Sequence, residues 1–200
     1  MLKGIDISHH NFNMQDRHDL NLFDFVIMKA TEGVRFKDPK MQVYMNVLND
    51  DMLYGFYHFA RPDLGNDPEA EALHFVNTID RYISDRSILA LDVEAGALNV
   101  KDLDRWCATW AQCVEVMTDV LPVIYISTSQ TKKLTATAAL GCGLWAAKWG
   151  NKPTKKQIEP WDFWAFWQYT SDAVFSGVRV DLDWFNGDRE QYMKYCKVGD

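Results

Sequence analysis

Two acidic residues two positions apart, Asp92 and Glu94, close the apolar run Ile88–Leu91. In an extended chain, residues i and i+2 point to the same face, with Cα atoms about 6.5–7 Å apart. Two carboxyl groups held together away from bulk water do not both ionise cheaply. One pKa rises, and an acid then stands beside a base. That pairing suits cleavage of a glycosidic bond, which needs a proton donor for the leaving oxygen and a negative charge near the oxocarbenium-like centre. The same spacing fits two solvated acids at a strand end, and the pair alone does not choose. The apolar approach argues against simple surface exposure.

Other polar residues sit at the ends of apolar runs. Asp6 lies near the end of the first run, Lys29 and Glu32 near the end of the second, His58 and Arg61 near the end of the third, and Asp181 and Asp183 in the last. Each has an ordinary reading. Asp6 suits a turn or cap, and Lys29 with Glu32 suits an ion pair. His58, between Tyr57 and Phe59, suits a hydrogen-bonded core histidine. Asp181 and Asp183 alternate with Val180, Leu182 and Trp184, as on a half-exposed strand. Their joint placement at strand ends is what makes them a candidate site, because parallel α/β barrels carry their chemistry there.

The elements that must position these groups follow from apolar periodicity. Strands are expected at Leu2–Ile7, Phe25–Ala30, Leu53–Phe59, Ile88–Val93, Pro122–Ile126, Leu144–Lys148, Phe163–Tyr169 and Val178–Trp184. Several are continuous apolar runs, the pattern of strands covered on both faces. Asp38-Pro39 and Asp67-Pro68 read as helix caps followed by proline at the first helical position. Lys101–Val120 carries Leu103, Cys107, Trp110, Val114 and Met117 at helical spacing, and a shorter helix is expected after Ser127. Alternating β and α implies a mostly parallel sheet. Eight strands imply a closed, TIM-like barrel. With 200 residues some helices must be missing. The link from Tyr169 to Val178 is too short for a parallel crossover, so the last strands are expected to pair antiparallel.

Composition narrows the function. A single domain spanning 1–200 is expected. The net charge of −7 argues against a nucleic-acid partner. No apolar stretch is long enough for a transmembrane helix, and no membrane partner is expected. The N-terminus reads at once as a strand, not a signal peptide. The four cysteines lack metal-ligand spacing, so free thiols are expected and a metal is not. Eight tryptophans, many between Trp145 and Trp184, suit either core or a groove that stacks on sugar faces.

At this point the chain resembles glycoside hydrolase family 25, the Chalaropsis-type lysozymes. The resemblance rests on seven segments in order: KGIDISHHN, FVIMKATEG with a following DP, YGFYHFARP, LALDVE, VIYIS, LWAAKW, and FWQYTS followed by VDLD. It implies an irregular (β/α)5(β)3 barrel. It also implies β-1,4 cleavage between N-acetylmuramic acid and N-acetylglucosamine in peptidoglycan strands, with no cofactor. Asp6, Asp92, Glu94 and Asp181 match the family's acidic constellation. Glu94 is implied as proton donor and then base, and Asp92 as stabiliser of the 2-acetamido group or, alternatively, as nucleophile. Asp183 departs from the Asn more usual there. Tyr57, His58, Trp145, Lys148, Trp167, Gln168, Tyr169, Asp183, Lys29 and Glu32 are implied along the substrate groove. A monomer is expected. A phage or prophage endolysin, made in the host cytoplasm and acting on the wall after release, fits the missing export signal, as does a secreted enzyme whose signal has been removed.

Overall fold

The fold was built as a computed structural model, which describes residues 1–11 and 17–197. Its strands are β1 (Leu2–Ile7), β2 (Phe25–Glu32), β3 (Phe36–Lys37), β4 (Leu53–Phe59), β5 (Ser87–Asp92), β6 (Val123–Ser127), β7 (Leu144–Ala147), β8 (Phe166–Phe175) and β9 (Val178–Phe185). The ring runs β1-β2-β4-β5-β6-β7-β8-β9 and closes back on β1. From β1 through β8 each neighbour is parallel. β9 is antiparallel to both β8 and β1. The short β3 pairs with β2 outside the ring. An irregular eight-stranded α/β barrel with antiparallel last strands is what the apolar runs required.

Helices cover part of the outside: α1 (Met41–Met45), α2 (Pro68–Ile79), α3 (Leu103–Thr118), α4 (Thr135–Ala139), α5 (Lys155–Ile158) and α6 (Arg189–Met193). Asp67 caps α2 as expected, accepting from the backbone N–H groups of Glu69 and Ala70. Asp38 does not cap α1. Its carboxylate is taken by the His9 backbone and ring and by the Lys40 backbone, so the helix starts later, after Lys40. The link after Tyr169 is also different. β8 continues to Phe175 and turns tightly through Ser176 and Gly177, at φ 48° and 78°, into β9. The residues read as a connection are a long hairpin. All four cysteines are free.

Two apolar cores result. Inside the barrel, Phe25, Ile27, Leu53, Ile88, Ala90, Val123, Phe166 and Phe185 stack below the mouth. Tyr192 of α6 closes this end, donating its hydroxyl to the Tyr54 carbonyl at 2.9 Å. Outside, Leu89, Leu91, Ile124 and Ile126 pack under Phe75 of α2 and Trp110 of α3. Each large apolar side chain buried this way contributes about 1.5–3 kcal/mol. Gly4 is required inside: a Cβ there would sit 2.1 Å from the Phe25 ring. The filled lower barrel leaves room for polar side chains only at the C-terminal ends of the strands.

Candidate active site

At that mouth lies a cavity of ≈ 470 Å³, walled by Asp6, Lys29, Tyr57, Asp92, Glu94, Tyr125, Trp145, Gln168 and Asp181 among others. β5 delivers the central pair. Main-chain bonds from Ala60 N–H to Asp92 and from Val93 N–H to Tyr125 keep the chain extended past the strand end. Glu94 is itself extended, at φ −146° and ψ −171°. Ala95 then turns the chain at φ 48°. Asp92 and Glu94 therefore both reach the cavity, as strand alternation demands.

Asp92 is buried, and its Oδ1 receives no hydrogen bond. Burial pushes its pKa well up, the Glu94 charge adds to this, and Lys29 opposes it. Glu94 is only half-buried; burial raises its pKa and Lys29 opposes that shift. Asp6 is raised by burial and then by Asp183 and Asp181, while the Gln168 amide, donating to Oδ2 at 2.9 Å, works the other way. Burial and then Glu94 lift Asp181 to about 6. Burial lifts Asp183 to about 7 against a hydrogen bond from the Trp145 indole at 2.8 Å. Five carboxyl groups thus share one low-dielectric mouth, and each favours its proton more than a free carboxyl does.

The balancing cation is Lys29, buried on β2. Its ammonium lies 4.6 Å from the Phe59 ring centroid and donates to Glu32 at 2.8 Å. The other Glu32 oxygen accepts from Arg61 at 2.7 Å. Burial works to raise Glu32, but the hydrogen bonds from Lys29 and Arg61 outweigh it and its pKa falls. Tyr125 donates to the Gln168 side-chain oxygen at 2.9 Å, and the Trp145 ring meets Tyr57 and Tyr125 edge-on. Among the described residues no group of three or more His, Cys, Asp or Glu is arranged to hold a metal ion.

Residues 5–178 match the glycosyl hydrolases family 25. The chain belongs to that family. It is a glycoside hydrolase. Lysozyme M1 of Streptomyces globisporus is 30% identical over 204 residues, covering 93% of this chain and 68% of that protein. The N,O-diacetylmuramidase of Arthroderma benhamiae is 28% identical, covering 99% and 88%. The lysozyme structure from Streptomyces coelicolor superposes with a TM-score of 0.83 at 25% identity, over 98% of this chain and 96% of that one. The CTP1L endolysin structure gives 0.80 at 27%, over 97% and 70%.

Not every residue suggested by the family resemblance faces the cavity of this family 25 hydrolase. His58 alternates with Tyr57 and Phe59 and so points out of the barrel. It is fully buried, with Nε2 donating to Glu71 and Nδ1 accepting from the Thr31 hydroxyl, both at 2.7 Å, and it stacks on Trp110. The core-histidine reading is the one the fold realises. Trp167 and Tyr169 flank the inward Gln168, so both point outward. Trp167 donates to the Lys148 carbonyl at 2.6 Å, and Tyr169 stacks on Trp184. Lys148 lines a neighbouring depression shared with Glu94, Tyr125 and Trp149, and donates to the Asn151 carbonyl at 2.7 Å. Asp183 has no exposed surface and lies behind the cavity wall.

Ser8, His10, Asn11, Phe59, Tyr125, Trp149 and Ser171 also line the cavity and were not singled out from sequence. Tyr125 faces inward from the middle of β6, and its place was readable from the alternation Val123, Tyr125 on the partner of β5. Trp149, 65% exposed, sits past the end of β7 and lines both cavities. It closes the LWAAKW segment, but apolar periodicity does not mark it.

Proposed function

We propose that this glycoside hydrolase is a lysozyme, a 1,4-β-N-acetylmuramidase. It cleaves the bond between N-acetylmuramic acid and N-acetylglucosamine in bacterial peptidoglycan. The observation that carries the reading is the unequal pair at the mouth: a half-open Glu94 beside an Asp92 that is buried except for the edge lining the cavity. Family membership and the lysozyme and muramidase relatives support the substrate class.

Glu94 is the proton donor. It is open enough to meet a leaving sugar oxygen, and its raised pKa keeps a protonated fraction in mild acid. After bond cleavage the same carboxylate takes a proton from the incoming water. Asp92, whose exposed edge lines the cavity, accepts the N–H of the 2-acetamido group and orients that group against the developing positive charge. Asp6 and Asp181 complete the negative wall. Trp145, Trp149 and Tyr57 give flat faces for sugar rings. An acidic chain meets an anionic wall here, so binding rests on these groove contacts rather than on long-range attraction. The catalytic unit spans 1–200 and works as a monomer on wall glycan strands, after release from the cytoplasm in which it is made.

The test is release of soluble fragments from purified peptidoglycan. Wild type clears the suspension and Glu94→Gln does not. Near-normal clearing by the variant would remove Glu94 from the donor role.

A further inference from the structure

The antiparallel register of β1 and β9 places Gly4 opposite Asp183 and Asp6 opposite Asp181. Gly4 offers Asp183 no side chain, so Asp183 meets its diagonal neighbour Asp6. Two of the four oxygens on this pair have fixed donors: the Trp145 indole at Asp183 Oδ1 and the Gln168 amide at Asp6 Oδ2. Asp183 Oδ2 is fully buried and receives no N–H or O–H from another residue. The Asp6 carboxyl, its diagonal neighbour across β1 and β9, is the acid whose contact perturbs it. Two ionised carboxylates so placed, shut from water, repel; one proton between them converts the repulsion into a hydrogen bond.

We infer that Asp6 and Asp183 hold one proton between them, and that Asp183 is a positioning residue which fixes the direction and charge of Asp6 for the reaction proposed above. The groups facing the pair leave it no other neutraliser. Asp181 on β9 and Asp92 on β5 are acids, and Trp145, Gln168, Tyr57 and Tyr125 on β7, β8, β4 and β6 are neutral. Lys29 on β2 is engaged by Glu32. Asp181 also reaches Asp6, but it is only half-buried and water can satisfy it. Asp183, with no exposed surface, has no such outlet.

The pair matters beyond its own charge. Asp6 holds the Gln168 amide, and the Gln168 oxygen holds the Tyr125 hydroxyl at 2.9 Å on the cavity wall. With the proton in place this chain has one sense of donation and the pair carries one negative charge. When the proton leaves, a second charge enters the mouth beside the acids that do the chemistry. Burial raises both acids, and their contact favours the proton on Asp6 over Asp183, so the pair keeps it through mild acid.

Three measurements test this. Carbon-13 NMR of aspartate-labelled wild type should show the Asp6 and Asp183 carboxyl carbons titrating together, with one step near neutrality. Asp183→Leu removes the shared proton and should lower kcat by about tenfold with KM unchanged. Asp183→Asn offers an amide N–H to Asp6 in place of the proton. It should restore kcat to within about threefold of wild type below neutral pH and delete the near-neutral ionisation from the kcat/KM profile. Independent titration of both carbons in the ordinary carboxylate range would overturn the shared proton. Equal impairment of the Asn and Leu variants would overturn the positioning role. Peptidoglycan left intact by wild type would instead overturn the proposed function, while the NMR titration still decides the proton pair.

Discussion

Two buried polar clusters lie on opposite faces of the same strands, and they are finished differently. Outside the barrel, Glu71 is completely buried, yet both its oxygens are served. One accepts from His58 and from the Arg61 backbone, the other from Asn66 at 2.7 Å. Inside, Asp183 is just as buried and Asp92 nearly so, and each keeps an oxygen without a donor. A satisfied buried carboxylate stabilises the fold it sits in. An unsatisfied one costs stability and is retained where a substrate or a proton completes it. The contrast separates structural polarity from chemical polarity more sharply than residue type does, since each cluster has an acid and a basic partner.

Substitutions can break this contrast in order of effect. Glu94→Gln should reduce turnover by about a thousandfold with the melting temperature unchanged, because it removes the proton donor and no buried bond. Asp92→Asn should lower kcat by about a hundredfold, read by steady-state kinetics on soluble glycan fragments. Glu71→Ala should behave oppositely. It strips His58, Arg61 and Asn66 of one shared acceptor and should destabilise the protein by about 3–5 kcal/mol in urea titrations, while kcat per folded molecule stays the same. A Glu71 variant with wild-type stability and lost turnover would collapse the distinction.

The smallest effect is on stability against pH. Asp181 and Asp183 hold their protons to about 6 and about 7 in the folded state, against an ordinary 3.8. Between about pH 4 and pH 7 the native protein therefore binds more protons than the unfolded chain, and unfolding releases them. Stability contributed by these groups is full below about pH 4 and is lost as pH rises through 6 to 7, by roughly a few kcal/mol. Thermal melts across that range should show a falling transition temperature. A rising one would mean that the fold favours the charged form of the mouth carboxylates.

Much of this was legible in the residues. Continuous apolar runs gave the strands, and Leu2–Ile7 and Leu53–Phe59 carry the expected bounds. Asp92, Glu94, Asp6 and Asp181 were findable because strand ends concentrate polar residues where the barrel interior opens. What failed was facing. His58, Trp167 and Tyr169 lie next to inward residues in sequence, and adjacency in a strand means the opposite face. Asp183 faces inward but one layer too deep, a matter of β1–β9 register that no single strand reveals. Trp149 depends on the loop after β7, where periodicity says nothing.

The central claim is tested most directly by mass spectrometry of the fragments released from purified peptidoglycan. The account predicts disaccharide–peptide units whose reducing ends are N-acetylmuramic acid, and none when Glu94→Gln replaces the wild type. Fragments ending in N-acetylglucosamine, or muramic ends produced equally by the variant, would contradict it.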